Sequence, residues 1–103
     1  MNKIEKINDE IFVGQKVTAG MVAGCYYAPY TVVEIKTPNK IMLRKERAVY
    51  TQPMLGWRHA DSVEVDLNGP VVAARKDKWG GWKISGTEKY CSFGEWRPRE
   101  YWD

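Results

Sequence analysis

The sequence predicts a mainly β domain, a small barrel or strongly bent antiparallel sheet preceded by a short N-terminal helical segment. Three observations lead there. From Val13 onward apolar residues alternate with polar ones, the period that places every second side chain on one face of a strand. Gly, Pro, Asn and Asp recur roughly every eight to twelve positions, the turn spacing of sandwiches and barrels. The chain has 103 residues, enough for one core and too few for two.

Residues 1–12 form the lead-in, where Ile4, Ile7, Ile11 and Phe12 fall on one face of a helix with charged residues between them. Val13-Gly14 opens the first strand, Lys16 to Met21, because glycine tolerates a tight turn. Tyr30 to Lys36 is β-branched and ends at Thr37-Pro38-Asn39, so Lys40 to Tyr50 returns as its hairpin partner. Thr51 to Ala60 has neither period and reads as the longest loop. Ser62 to Leu67 alternates strictly, and Asn68-Gly69 after it predicts a two-residue turn with positive φ into Val71 to Lys76. Trp82 to Ser85 completes a three-stranded meander from Ser62 to Ser85. Lys89 to Phe93 adds a short strand, and residues 95–103 form an aromatic, charged tail.

Composition narrows the function. With 44% hydrophobic and 28% charged residues the chain is of the globular kind. Its longest apolar run is far below the roughly 20 residues needed to span a bilayer. The start of the chain carries no apolar signal segment, so a cytoplasmic protein is expected. Two cysteines, Cys25 and Cys91, are too few for a disulfide framework and lack zinc-site spacing, which leaves free thiols as the expectation. A net charge of +3 favours anionic partners. Five Trp and six Tyr against two Phe is the unusual feature, because Trp and Tyr combine an apolar face with a polar handle and are enriched at contact surfaces.

Catalytic chemistry is thinly supplied. His59 is the only histidine, and Cys91 sits in a strand pattern, where a cysteine usually acts as a small hydrophobe. Asp61, Glu64 and Asp66 have no second cluster to complete a metal shell. Asp66-x-Asn68-Gly69 lacks the distal Glu of a calcium loop. Gly80-Gly81 opens no helix, so no phosphate-binding loop of the nucleotide-hydrolase kind is present. A non-enzymatic protein without a cofactor is expected.

What remains is a surface of interleaved cations and aromatics. Arg44, Lys45 and Arg47 form one group, Arg75, Lys76 and Trp79 a second, and Trp96, Arg97 and Arg99 a third. Lysine and arginine neutralise phosphates while aromatic faces stack on bases. Tyr26 and Tyr27, between the first two strands, and Trp57 in the long loop make a secondary candidate. Interspersed acids at Glu46, Asp77, Glu95 and Glu100 weaken the field. The competing reading is that alternating charges solvate the strands while Trp79, Trp82 and Trp96 cover the core.

Val13-Gly-x-x-Val-Thr18, then Tyr30-x-Val-x-x-Ile35 and Lys40-Ile-x-Leu-Arg44, resemble the opening of an SH3-like barrel. The first two of those segments, together with Asp66-Leu-Asn-Gly69, Arg75-Lys-Asp-Lys-Trp79, Trp82-Lys-Ile-Ser-Gly86 and Arg99-Glu-Tyr-Trp-Asp103, resemble small proteins encoded by bacteriophages and prophages. That family brings no established activity. It implies a phage accessory protein acting in the host cytoplasm, a binding module that inhibits or modulates host nucleic-acid machinery or a defence system. Its partner would be a host protein, a nucleic acid or a nucleotide, with no membrane involved. The alternative is a minor virion or assembly component whose edge strands and aromatic tail pair with copies of itself as a homo-oligomer.

Overall fold

The computed structural model describes residues 4–7, 10–21, 26–51 and 56–102. Its centre is a closed barrel of six antiparallel strands. In spatial order these are β3 (Lys16–Gly20), β11 (Tyr90–Phe93), β10 (Trp82–Ile84), β9 (Val71–Lys76), β5 (Lys40–Lys45) and β4 (Tyr26–Thr37), which pairs back onto β3. Strand alternation creates the core: Val17 and Ala19, Ala28, Tyr30 and Val32, Ile41 and Leu43, Ala74, and Trp82 and Ile84 all point inward and are buried. Each fully buried Val, Leu or Ile contributes on the order of 1.5–3 kcal/mol, and closure removes the barrel's own sheet edges.

The length of β4, 12 residues, lets it serve two structures. Its Tyr30–Thr37 portion pairs with β5, while Tyr26 and Tyr27 pair on the same side with β12 (Arg99–Trp102). Strand β7 (Gly56–His59) adds beyond β12, so a ribbon continues the sheet past the barrel. A separate pair, β6 (Arg47–Val49) with β8 (Ser62–Glu64), lies beside β4. Among the described residues there is no helix long and apolar enough to cross a membrane.

The predicted N-terminal helix is not formed. Instead β1 (Lys6–Ile7) and β2 (Ile11–Phe12) make a two-stranded ribbon, with Ile7 opposite Ile11 and Ile4 bridging to Ile35. Residues four apart are neighbours on a helix, and they are also partners across a tight hairpin. Isoleucine's branched Cβ and the shortness of the segment favour the second arrangement, which brings Ile11 into the core at 4% exposure.

The predicted loop from Thr51 to Ala60 contains β7, and the tail contains β12; residues 52–55 lie outside the described set. The meander also differs. β9, β10 and β11 form it in sequence, whereas β8 pairs with β6.

The turn at Asn68-Gly69 is therefore not a hairpin, and Gly69 does not have positive φ; that conformation occurs at Gly14, Gly80, Gly86 and Gly94. Asp66 folds the chain, its Oδ1 accepting from the Asn68 amide at 3.0 Å and its carbonyl from the Gly69 amide at 3.0 Å. Glycine is needed at 69 for a different reason: a Cβ there would penetrate the Lys45 carbonyl. Gly69→Val is expected to destabilise the protein by about 2 kcal/mol or more through backbone displacement, measured as a lowered midpoint in urea. An unchanged midpoint would show that the close approach of these segments is dispensable.

Candidate functional site

One register line crosses the whole sheet. Lys40 of β5 lies opposite Arg75 of β9, Arg75 opposite Lys83 of β10, and Lys83 opposite Tyr90 of β11. Tyr90 faces Gly20 of β3, Gly20 faces Tyr27 of β4, Tyr27 faces Arg99 of β12, and Arg99 faces His59 of β7. Cross-strand partners share a face. Their neighbours Ile41, Ala74, Ile84, Ala19 and Ala28 fill the interior, so this line runs along the outside. It holds cations, aromatics and one glycine, and no carboxylate. At ~4.8 Å between strands its contour, which winds around the closed barrel before passing onto the β12–β7 ribbon, is on the order of 33 Å.

Three cations in direct cross-strand opposition are an unfavourable arrangement for an isolated sheet. Lys83 has one acidic neighbour, Glu88, at 3.8 Å, an exposed pair of small energetic value. At the end of the β9–β10 hairpin next to Arg75, Trp79 is 79% exposed. Its turn is rigid: Asp77 Oδ1 accepts from the amides of Trp79 at 3.0 Å and Gly81 at 2.9 Å, and Gly80 takes positive φ. Lys78 Nζ lies 4.5 Å from the indole centroid. An indole held out on an ordered turn loses little entropy on contact.

At the far end of the line lies a cleft of about 370 Å³ between the barrel and the β12–β7 ribbon. Tyr27, Arg99 and His59 line it from the register line itself; Thr18, Ser92 and Phe93 come from β3 and β11, and Glu95 and Arg97 from the segment before β12. The Tyr27 ring rests on Gly20, where a Cβ would come within 2.6 Å of the ring. The Arg99 guanidinium stacks 4.5 Å from that ring. Thr18 Oγ1 donates to the Glu95 carbonyl at 3.0 Å and accepts from the Arg97 amide at 2.8 Å, which fixes the segment carrying Arg97.

The structure separates the predicted basic groups. Arg44 is held by Glu46, and Arg47 pairs with Glu64 on the β6–β8 ribbon. Lys45 reaches over Tyr26, which Lys89 also approaches, on the opposite face from Tyr27. Arg75 joins the line, whereas its neighbour Lys76 stands opposite Trp82 on the other face. Trp96 is pinned, its Nε1–H donating to the Tyr30 carbonyl at 2.8 Å with Lys16 4.8 Å from the ring, and Trp82 is core. Arg97 and Arg99 meet in the cleft. Trp57 stands in β7 opposite Tyr101 of β12.

Lys40, Lys83, Tyr90, Thr18 and Ser92 are not among the predicted site residues, and His59 is weighed from the sequence only as a catalytic group, because these residues lie singly in strands and join the others only through register. Cys91 carries a free thiol, and burial pushes its pKa up to about 12, unlike a nucleophile's thiol; Cys25 lies outside the described residues. Among the described residues no three His, Cys, Asp or Glu side chains gather as a metal site would require. No family model, curated protein or solved structure matches this chain.

Proposed function

We propose that this protein is a non-enzymatic module that binds single-stranded nucleic acid along the outer register line, with an SH3-like barrel as the scaffold. The carboxylate-free succession Lys40, Arg75, Lys83, Tyr90, Tyr27, Arg99 and His59 carries the reading. Cations along such a line neutralise successive phosphates, and tyrosines between them give bases a stacking surface. A line of this length suits a handful of nucleotides, within the roughly 4–16 covered by a small oligonucleotide-binding barrel. Trp79, exposed on the β9–β10 turn, supplies a further stacking face. An accessory role for a phage, in which the module occupies host nucleic-acid or defence machinery, belongs to the same proposal.

A second reading has one supporting observation. β7 ends the sheet order, so its outer edge can accept a strand from another copy in an assembly role. The aromatic tail does not offer such an edge, because β12 is paired on both sides.

Fluorescence anisotropy with an oligothymidylate tests the proposal. Affinity is expected to fall with added salt by about 0.7 logarithmic units per logarithmic unit for each phosphate contacted, and Trp79→Ala to cost about 1–3 kcal/mol. Binding independent of salt, or intact in Trp79→Ala, would count against this interface. Concentration-dependent self-association without nucleic-acid binding would favour the assembly reading.

A further inference from the structure

The cleft differs chemically from the rest of the line, and the difference points to an end rather than to a further step of the track. We propose that it holds the terminal phosphate monoester of the bound single strand. This rests on the nucleic-acid reading above and adds a preference for one chain end.

Position is the first argument. His59 is the last residue of the register line and β7 the last strand of the sheet, so the line stops where the cleft lies. Ligand chemistry is the second. An internal phosphodiester carries one negative charge and leaves two oxygens for the protein, whereas a terminal monoester approaches two charges and presents three acceptor oxygens. The cleft gathers donor groups enough for all three oxygens: the Arg97 and Arg99 guanidinium groups, the His59 imidazole and the Ser92 hydroxyl. Its volume of about 370 Å³ is at the small end of ligand pockets, suited to one nucleotide unit.

Preorganisation is the third argument. Thr18, with its hydroxyl engaged on both sides, fixes the backbone at Glu95 and Arg97 and acts as a positioning residue. The cleft's one carboxylate, Glu95, pairs with Arg97, and the two side chains are 61% and 74% exposed. A pair so exposed has little net strength, and Arg97 exchanges it for a phosphate at small cost.

The test compares oligothymidylates of about six nucleotides, a length within the barrel's reach, bearing a 5′-phosphate, a 3′-phosphate or hydroxyl ends, with the label on the opposite end. One phosphorylated form is expected to bind about tenfold tighter than the hydroxyl form. Arg97→Gln combined with Ser92→Ala is expected to abolish that preference while leaving hydroxyl-ended binding within about twofold and thermal unfolding unchanged, since both residues are exposed and lie off the register line. Equal affinity for all three forms would overturn the end site and leave the track standing. A preference that survives in the double variant would also overturn it, by placing the phosphate elsewhere. Absence of binding to every form would overturn both readings.

Discussion

Glu46→Leu is expected to destabilise the protein by about 3–5 kcal/mol, a large share of the 5–15 kcal/mol typical of domains. Glu46 is only 3% exposed, and its carboxylate accepts from four donors. Thr31 Oγ1 lies at 2.5 Å, Arg44 Nε at 3.1 Å, Arg44 Nη2 at 2.8 Å and the Asp66 amide at 2.9 Å. It thereby ties β4 and β5 to the segment leading into the Asp66–Gly69 turn. Leucine keeps much of the volume but leaves a guanidinium with a 17%-exposed side chain facing no anion, together with an unpaired amide and hydroxyl.

Burial pushes the Glu46 carboxyl up, and the hydrogen bonds from Arg44, Thr31 and the Asp66 amide outweigh it, so its pKa lies below the ordinary carboxylate value. A group depressed in the folded state contributes fully above its unfolded pKa and loses that contribution as pH falls through the folded one. Stability is therefore expected to decline below the ordinary carboxylate range in the native protein and to decline less in the variant. Urea melts across that range measure the difference. Arg44→Leu/Glu46→Leu should recover much of the loss, whereas a double variant as unstable as the single one would show that packing, and not the isolated charge, sets the cost.

The sequence made some features readable because they depend on neighbours along the chain. The β4–β5 hairpin across Pro38-Asn39, the short strands near β3, β9, β10 and β11, and the positive φ of Gly14 all follow from local pattern and turn chemistry. Features that depend on long-range partners were not readable. Ile7 and Ile11 satisfy a helix face and a hairpin pair equally well. β8 alternates as β9's hairpin partner would, yet pairs with β6 because Glu46 and Asp66 hold those segments together. The basic groups failed as groups for the same reason. Consecutive residues of a strand face opposite ways, so Arg75 and Lys76 cannot both serve one ligand, whereas Lys40, Arg75 and Lys83, far apart in the chain, can.

Arg75→Glu is expected to move stability and binding in opposite directions. In the native sheet Arg75 lies directly opposite Lys40 on one side and Lys83 on the other, two like-charge pairs that oppose folding. A glutamate there makes both pairs attractive, and at roughly 0.2–1 kcal/mol per cross-strand pair the variant should be more stable by some tenths of a kcal/mol up to about 2 kcal/mol. The gain should shrink in high salt, which screens exposed charges. Binding should suffer from the same change, because one phosphate contact is lost, a repulsion is added, and the flanking lysines turn toward the new carboxylate. Affinity for an oligothymidylate is expected to fall by about 100-fold at low salt, with the salt dependence shallower by about 0.7 for the contact removed and by about twice that in Arg75→Glu/Lys83→Glu. Urea denaturation and anisotropy on one protein preparation measure both quantities. A variant that gains stability and binds as tightly as the native protein would remove the register line from the interface and reduce its cations to a solvated face; a variant that loses both would mean that Arg75 supports the fold, and the opposition of charges across β5, β9 and β10 would need a structural explanation instead.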